Sequence, residues 1–343
     1  MDRRWVQRLI DEEQLPALLL VVAALAGLLY ANVLGGSVPN LDIVLVVFFF
    51  VAGLELRHEL TSGSLTDVRT ALVPVFAAAF GMIVPALLFL VLAPADAAAA
   101  WGVPMATDLP LALALLAVLG RGLPIEFRAF ILTLAIVDDV LSIIVVALRF
   151  GGSLSVPWLL VVGICVVGYG RTSIPAVQLV LGIMSVAAMT RTGIHATVLG
   201  VVLGLATSRN VDAIRDRWQP LSAYVAVPLF IFSALTVQIS ELNGPLVSAI
   251  TAARIIGKPA GVLVGAAIAI ALLRPSDRLP WKSYAVAGSV AGLGFSVSML
   301  FAELSLDGAL LAETKLAVLI ALAAASLTGA AALRTMRRPQ VRG

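Results

Sequence analysis

Apolar runs of membrane-spanning length follow one another along almost the whole chain, and they restrict the possible folds more than any single motif. Six lie near 15–31, 41–58, 71–92, 101–119, 127–150 and 156–169. Six more lie near 174–189, 194–207, 221–240, 247–272, 283–303 and 315–333. A hydrocarbon core of about 30 Å takes roughly 20 apolar residues per helix. With 61% hydrophobic and 13% charged residues over 343 positions, the chain has more apolar surface than one soluble core can enclose. The excess has to face lipid. Helices and closed barrels are the spanning solutions, and these runs are too long for barrel strands and lack their period-two alternation. The expectation is an all-α polytopic membrane protein in a lipid bilayer, with about 12 transmembrane helices in one transporter domain over 1–343.

Charge sets the orientation. Of the 23 Lys and Arg residues, 18 fall on the N-terminal side of twelve spans and three (Arg149, Arg191, Lys315) on the other, with Arg254 and Lys258 inside a span. The excess of positive charge inside then puts both termini in the cytoplasm. This uneven spread also argues against reading the basic pI as nucleic-acid binding. A single cysteine, Cys165, excludes a disulfide framework and a cysteine-rich metal site. The first run follows Asp11-Glu12-Glu13 rather than a basic segment, so it reads as a retained helix and not as a secretory signal.

Charges at mid-span depth are costly and are normally absent unless they work. Four lie near the middle of their runs: Asp108 in the fourth, Asp138 and Asp139 in the fifth, and Lys258 in the tenth. Together they describe a polar site at the midplane with a spare negative charge for a cation. The backbone is also disturbed there. Pro110 follows Ala106-Thr107-Asp108, Lys258 sits in Gly257-Lys258-Pro259, and the eleventh run carries Ala291-Gly292-Leu293-Gly294-Phe295. Proline and glycine interrupt helices, and interrupted helices at membrane depth line cavities or pack within protein. Asp108 and Lys258 have the right signs to offset the partial charges of exposed helix ends.

Six segments in order, Phe48-Phe49-Phe50 through Gly53-Leu54-Glu55, Ala106-Thr107-Asp108, Ala135 to Asp139, Gly193 to Thr197, Gly257-Lys258-Pro259 and Gly292 to Phe295, resemble the NhaA-type bacterial sodium/proton antiporters. The likeness runs through nearly the whole chain. It implies an inverted-repeat transporter (repeats near 71–150 and 247–333) whose fourth and eleventh helices are broken and cross. It also implies antiport across the bacterial inner membrane: Na⁺ or Li⁺ for H⁺, electrogenic and pH-regulated. Asp139 would be the principal cation ligand and Asp138 its partner, paired with Lys258. Thr107 would offer a hydroxyl to the ion, and Asp108 would balance helix ends. The ion is the transported cargo, and no resident cofactor or metal is implied. Glu55, His58 and Glu59, at i, i+3 and i+4 near the cytoplasmic end of the second run, are the candidates for pH response.

The chain departs from that pattern in places. The stretch from Val33 to Asn40 is too short for the β-hairpin associated with dimer contacts, which leaves a homodimer open. Arg215 stands near the place of an acidic pH-sensing residue. Arg254, one turn before Lys258, is not expected from the family; repulsion of Lys258, pairing with Asp42 and an outer funnel are all open to it. Among rival functions, an intramembrane aspartyl protease needs its acids on facing helices, whereas Asp138 and Asp139 are neighbours about 100° apart on one. A sodium-coupled organic-solute symporter shares the architecture but needs a roomy polar cavity. A sensor that has lost transport should not keep this charge set.

Overall fold

A computed structural model of the chain describes residues 14–39, 41–62, 68–120, 123–239, 244–275 and 278–336, and among these every regular element is helical. In chain order come α1 (Gln14–Val33), α2 (Leu45–Ser62), α3 (Val68–Leu92), α4 (Leu109–Leu119), α5 (Ile125–Arg149), α6 (Val156–Arg171), α7 (Pro175–Met189) and α8 (Ala196–Ala206). They are followed by α9 (Val211–Leu221), α10 (Val227–Ala234), α11 (Gly244–Ala252), α12 (Lys258–Leu273), α13 (Trp281–Ala291), α14 (Ser296–Ser305) and α15 (Gly308–Arg334). Among the described residues, four stretches are long and apolar enough to cross a membrane: Leu72–Leu92, Ile125–Arg149, Gly244–Leu273 and Gly308–Arg334. They fall as two pairs, and each pair flanks an interrupted helix.

The first interruption precedes α4. A 3-10 helix over Ala95–Ala100 runs into turns through Met105, and the chain is then extended to Asp108. Pro110 sits in the first turn of α4, where its missing N–H is no loss. So it begins a helix here rather than kinking one. The second interruption separates α13 from α14, whose axes are bent by 56° across residues 292–295. Gly294 is required there, because a Cβ would stand 2.1 Å from the carbonyl oxygen of Ala106. The two interruptions are therefore in backbone contact.

The backbone beside Gly257-Lys258-Pro259 is disturbed without being broken. A wide π-turn over Ala253–Gly257 joins α11 to α12, and it takes up the clash that Pro259 would otherwise make with the carbonyl four residues back. A second π-turn, Ser222–Ala226, joins α9 to α10. The ninth apolar run accordingly differs from its expected 221–240: the helix starts earlier, at Val211, and ends at Ala234. Residues 211–220 are polar and amphipathic, which a hydropathy window passes over.

Small residues bring helices together without a solvent-driven hydrophobic effect. Gly257, Gly261 and Gly265 form one stripe against α3, where added Cβ atoms would meet Pro85 Cα at 2.8 Å, Phe80 O at 2.3 Å and Phe76 O at 2.2 Å. Gly53, Gly200 and Gly204 do the same between α2 and α8. Outward faces of α6 and α7 expose Leu160, Ile164, Leu179 and Ile183, as expected of helices against lipid. The stretch 34–39, between α1 and α2, contains no strand.

Gly261→Ala is expected to separate α3 from α12 and to destabilise the protein by about 1–3 kcal/mol, as overpacking does. Gly163→Ala, whose Cβ meets nothing within 4 Å, should be neutral. Thermal unfolding of the two purified variants in detergent checks the contrast.

Candidate cation and proton site

The adjacent acids of α5 point in different directions. Asp138 faces α12, where the Lys258 ammonium stands 3.0 and 2.9 Å from its two carboxylate oxygens. Lys258 also donates to the carbonyl of Met105, at the end of the turns that precede α4. Both side chains are 1% exposed, so this is an ion pair held in a dry interior. Such a pair is tolerated when its remaining donors and acceptors are satisfied, and the Met105 carbonyl takes one of them.

Asp108 and Thr107 tie the two interruptions together. The Asp108 N–H donates to Leu293 O at 2.6 Å, and Thr107 Oγ1 donates to Ala291 O at 2.8 Å. In return Asp108 Oδ2 accepts from Ser296 N at 2.9 Å and Ser296 Oγ at 2.6 Å. A carboxylate thus meets the free N–H end of α14, where the helix dipole favours negative charge. Ser296 carried no flag in the sequence. Its only signal was its place directly after the Gly-Leu-Gly-Phe segment.

Asp139 is different. It is 1% exposed, and neither carboxylate oxygen has a hydrogen-bond partner. A funnel lined by Glu55, Leu109, Pro110, Gln219 and Ser222 among others has Asp139 at its wall. Asp108, Asp138, Glu55 and Lys258 all lie within electrostatic reach of Asp139. The structure therefore brings Glu55 into the site's surroundings, beside the funnel, rather than leaving it on a solvated helix end.

Arg254 is fully buried at 0% exposure, which excludes a place in an aqueous funnel. Its guanidinium donates to Ser298 Oγ at 2.7 Å, Val103 O at 3.3 Å and Val318 O at 3.4 Å. Arg254 and Lys258, one turn apart, therefore hold the carbonyls of Val103 and Met105 before α4. Arg254 also reaches α14 and α15. The side chain of Asp42 lies outside the described residues. Around the two interruptions three buried acids (Asp108, Asp138, Asp139) face two buried bases (Arg254, Lys258), and the buried Glu55 adds a further acid beside the funnel, so the fully ionised group carries net negative charge. Chemically this is a place for a cation or for protons.

At the other end of α2, His58 Nδ1 lies 2.7 Å from Asp212 Oδ1 on α9. Arg215 stands 3.7 Å from the same Asp212 oxygen and 2.7 Å from Asp216. It is also within electrostatic reach of Glu55. The side chain of Glu59 lies outside the described residues. His195 caps α8 through Thr197.

The family model described as Na⁺/H⁺ antiporter 1 matches residues 40–333. The chain belongs to that family. Among its relatives, the Na(+)/H(+) antiporter NhaA of Mycolicibacterium smegmatis is 36% identical, over 96% of this chain and 87% of its own length. Na(+)/H(+) antiporter NhaA 1 of Saccharopolyspora erythraea is 39% identical over 85% of this chain and 77% of its own. Na(+)/H(+) antiporter NhaA 3 of Streptomyces coelicolor is 34% identical over 100% and 82%. The family match contains the midplane acids, Lys258 and both helix interruptions.

Arg254→Lys keeps the charge but cannot span three acceptors, and Arg254→Met loses both charge and bonds. Stability is expected to fall in the order wild type, Lys, Met, by about 1.5–3 kcal/mol for each charged hydrogen bond lost. Thermal unfolding in detergent measures it.

Proposed function

We propose that this chain is a secondary transporter that exchanges sodium ions for protons, with Asp139 as the group for which they compete. The observation that carries the assignment of the site is the Asp139 carboxylate, buried at the end of a funnel with neither oxygen hydrogen-bonded. A bare carboxylate in a dry site binds either a proton or a hard cation such as Na⁺ or Li⁺. Thr107 and Asp138 stand ready as further oxygen donors, and Asp138 is held by Lys258 until the site is loaded. Because the two acids share one site, they titrate as a unit. The antiporter names of the relatives support exchange, and a solute symporter has no support.

Twelve spans follow when α9–α10, α11–α12 and α13–α14 each count once and the segment 95–119 counts as an interrupted span. The repeats at 71–150 and 247–333 then share one order: long helix, interrupted helix, long helix. The basic excess puts both termini in the cytoplasm of a bacterial inner membrane. On that orientation the funnel, with Gln219 and Ser222 at its mouth, faces the cytoplasm, and exchange proceeds as one bundle rocks against the other. Two acids and a lysine at the site favour more than one proton per sodium.

In inside-out vesicles from a host without its own antiporters, Na⁺ and Li⁺ but not K⁺ should dissipate an imposed pH gradient. Asp139→Asn should abolish this. Absence of any response from about pH 6.5 to 9, across the range where His and coupled acids titrate, would refute exchange. In proteoliposomes the rate should follow the membrane potential, and indifference to it would refute electrogenic transport.

The His58–Asp212 contact, at 2.7 Å, joins α2 to α9 and can hold the two helices together. If this contact between α2 and α9 restrains the transporter, His58→Ala and Asp212→Asn should both move the activation profile towards lower pH, by about half a unit or more. Unchanged profiles would remove the pair from pH control.

A further inference from the structure

Ser142, on α5, is fully buried, and its hydroxyl has no hydrogen-bond partner. Among the described residues most helical hydroxyls avoid that state, Thr251 on α11 being the other exception. Thr133, on the same helix, donates to the Ala129 carbonyl four residues back, and Ser185, Ser289, Thr314 and Ser326 make the same bond to theirs. The equivalent carbonyl for Ser142 belongs to Asp138, and the bond is not made. A buried hydroxyl without a partner is costly, so one that persists points to a ligand absent from this state.

Its direction identifies that ligand. At 3.6 residues per turn, Ser142 projects about 40° from Asp138 and about 60° from Asp139, roughly one turn farther along the helix. It therefore shares the face of the two acids, and it borders Asp139, whose two oxygens are equally unpartnered. Asp108 Oδ1 is unpartnered as well. The funnel arriving from Gln219 reaches Asp139, and its lining does not include Ser142. Ser142 thus lies one turn beyond Asp139 along α5, buried and outside the funnel's lining.

We infer that Ser142 Oγ is a further oxygen ligand of the transported cation, joining Asp139 from one turn farther along α5; this rests on the exchange reading above. A hydroxyl suits Na⁺ and Li⁺ as a hard, neutral donor. Being neutral, it adds coordination without altering how many charges move per cycle. Its removal should change cation affinity and leave the voltage dependence alone.

The test uses purified full-length protein in proteoliposomes, with NaCl and LiCl as probes, beside thermal unfolding with and without Na⁺. Ser142→Ala should raise the half-saturating Na⁺ and Li⁺ concentrations about fivefold, the size of one lost hydroxyl contact. Its melting temperature without Na⁺ should equal or exceed that of wild type. Ser142→Thr should keep native affinity, and Ser142→Cys, a soft sulfur of similar volume, should behave like Ala. Native half-saturating values in Ser142→Ala, or a lower melting temperature without Na⁺, would overturn the inference. Should Ser142→Ala fail to fold, equal affinities for Thr and Cys would overturn it as well. Failure of the exchange reading is separate: wild type itself would then not respond to Na⁺ or Li⁺, and Asp139→Asn would match it.

Discussion

Between Met105 and Leu109, and again between Ala291 and Ser296, the chain gives up helical hydrogen bonds inside the apolar part of the molecule. Backbone groups left bare in such surroundings are not tolerated, and here each interruption satisfies the other. The Asp108 N–H meets Leu293 O, the Thr107 hydroxyl meets Ala291 O, and the Asp108 carboxylate takes the first N–H of α14. Gly294 permits the approach by having no side chain. The site exists because these two breaks are held together. Remove the mutual bonding and neither extended segment could stay at that depth.

The charges are distributed accordingly. Lys258 and Arg254 hold carbonyls left free before α4, and Asp108 holds the amide end of α14. Asp138 is occupied by Lys258. One carboxylate, Asp139, is left with no partner although it is as deeply buried as the rest. The structural charges are satisfied by one another and by helix ends, so the residual negative charge is concentrated where a cation or proton can use it. That separation of holding groups from the working group is the physical basis of the proposed exchange.

Much of this was legible in the sequence. Runs of span length gave the helices, because lipid removes the ambiguity that a mixed surface creates. The depth of Asp108, Asp138, Asp139 and Lys258 pointed to a buried charge cluster, because charge in an apolar run has few innocent explanations, and the four are buried. Three things were not legible. The disturbance before Lys258 was legible but not its form, since a π-turn leaves no pattern in residue type. The extension of α9 back to Val211 was hidden because its first residues are polar. The partners of Arg254 and the part played by Ser296 depend on how distant segments meet, and spacing along the chain does not encode that. The seriate glycines of α12, at intervals of four, carried a packing signal that hydropathy alone passes over.

The central claim is that sodium and protons compete for Asp139. Its most direct test is proton release from purified protein in weakly buffered detergent at alkaline pH, followed as NaCl is added. The account predicts a saturable release of protons in wild type, also produced by LiCl, absent with KCl and absent in Asp139→Asn. Binding of Na⁺ without any proton release, or the same release from Asp139→Asn, would contradict it.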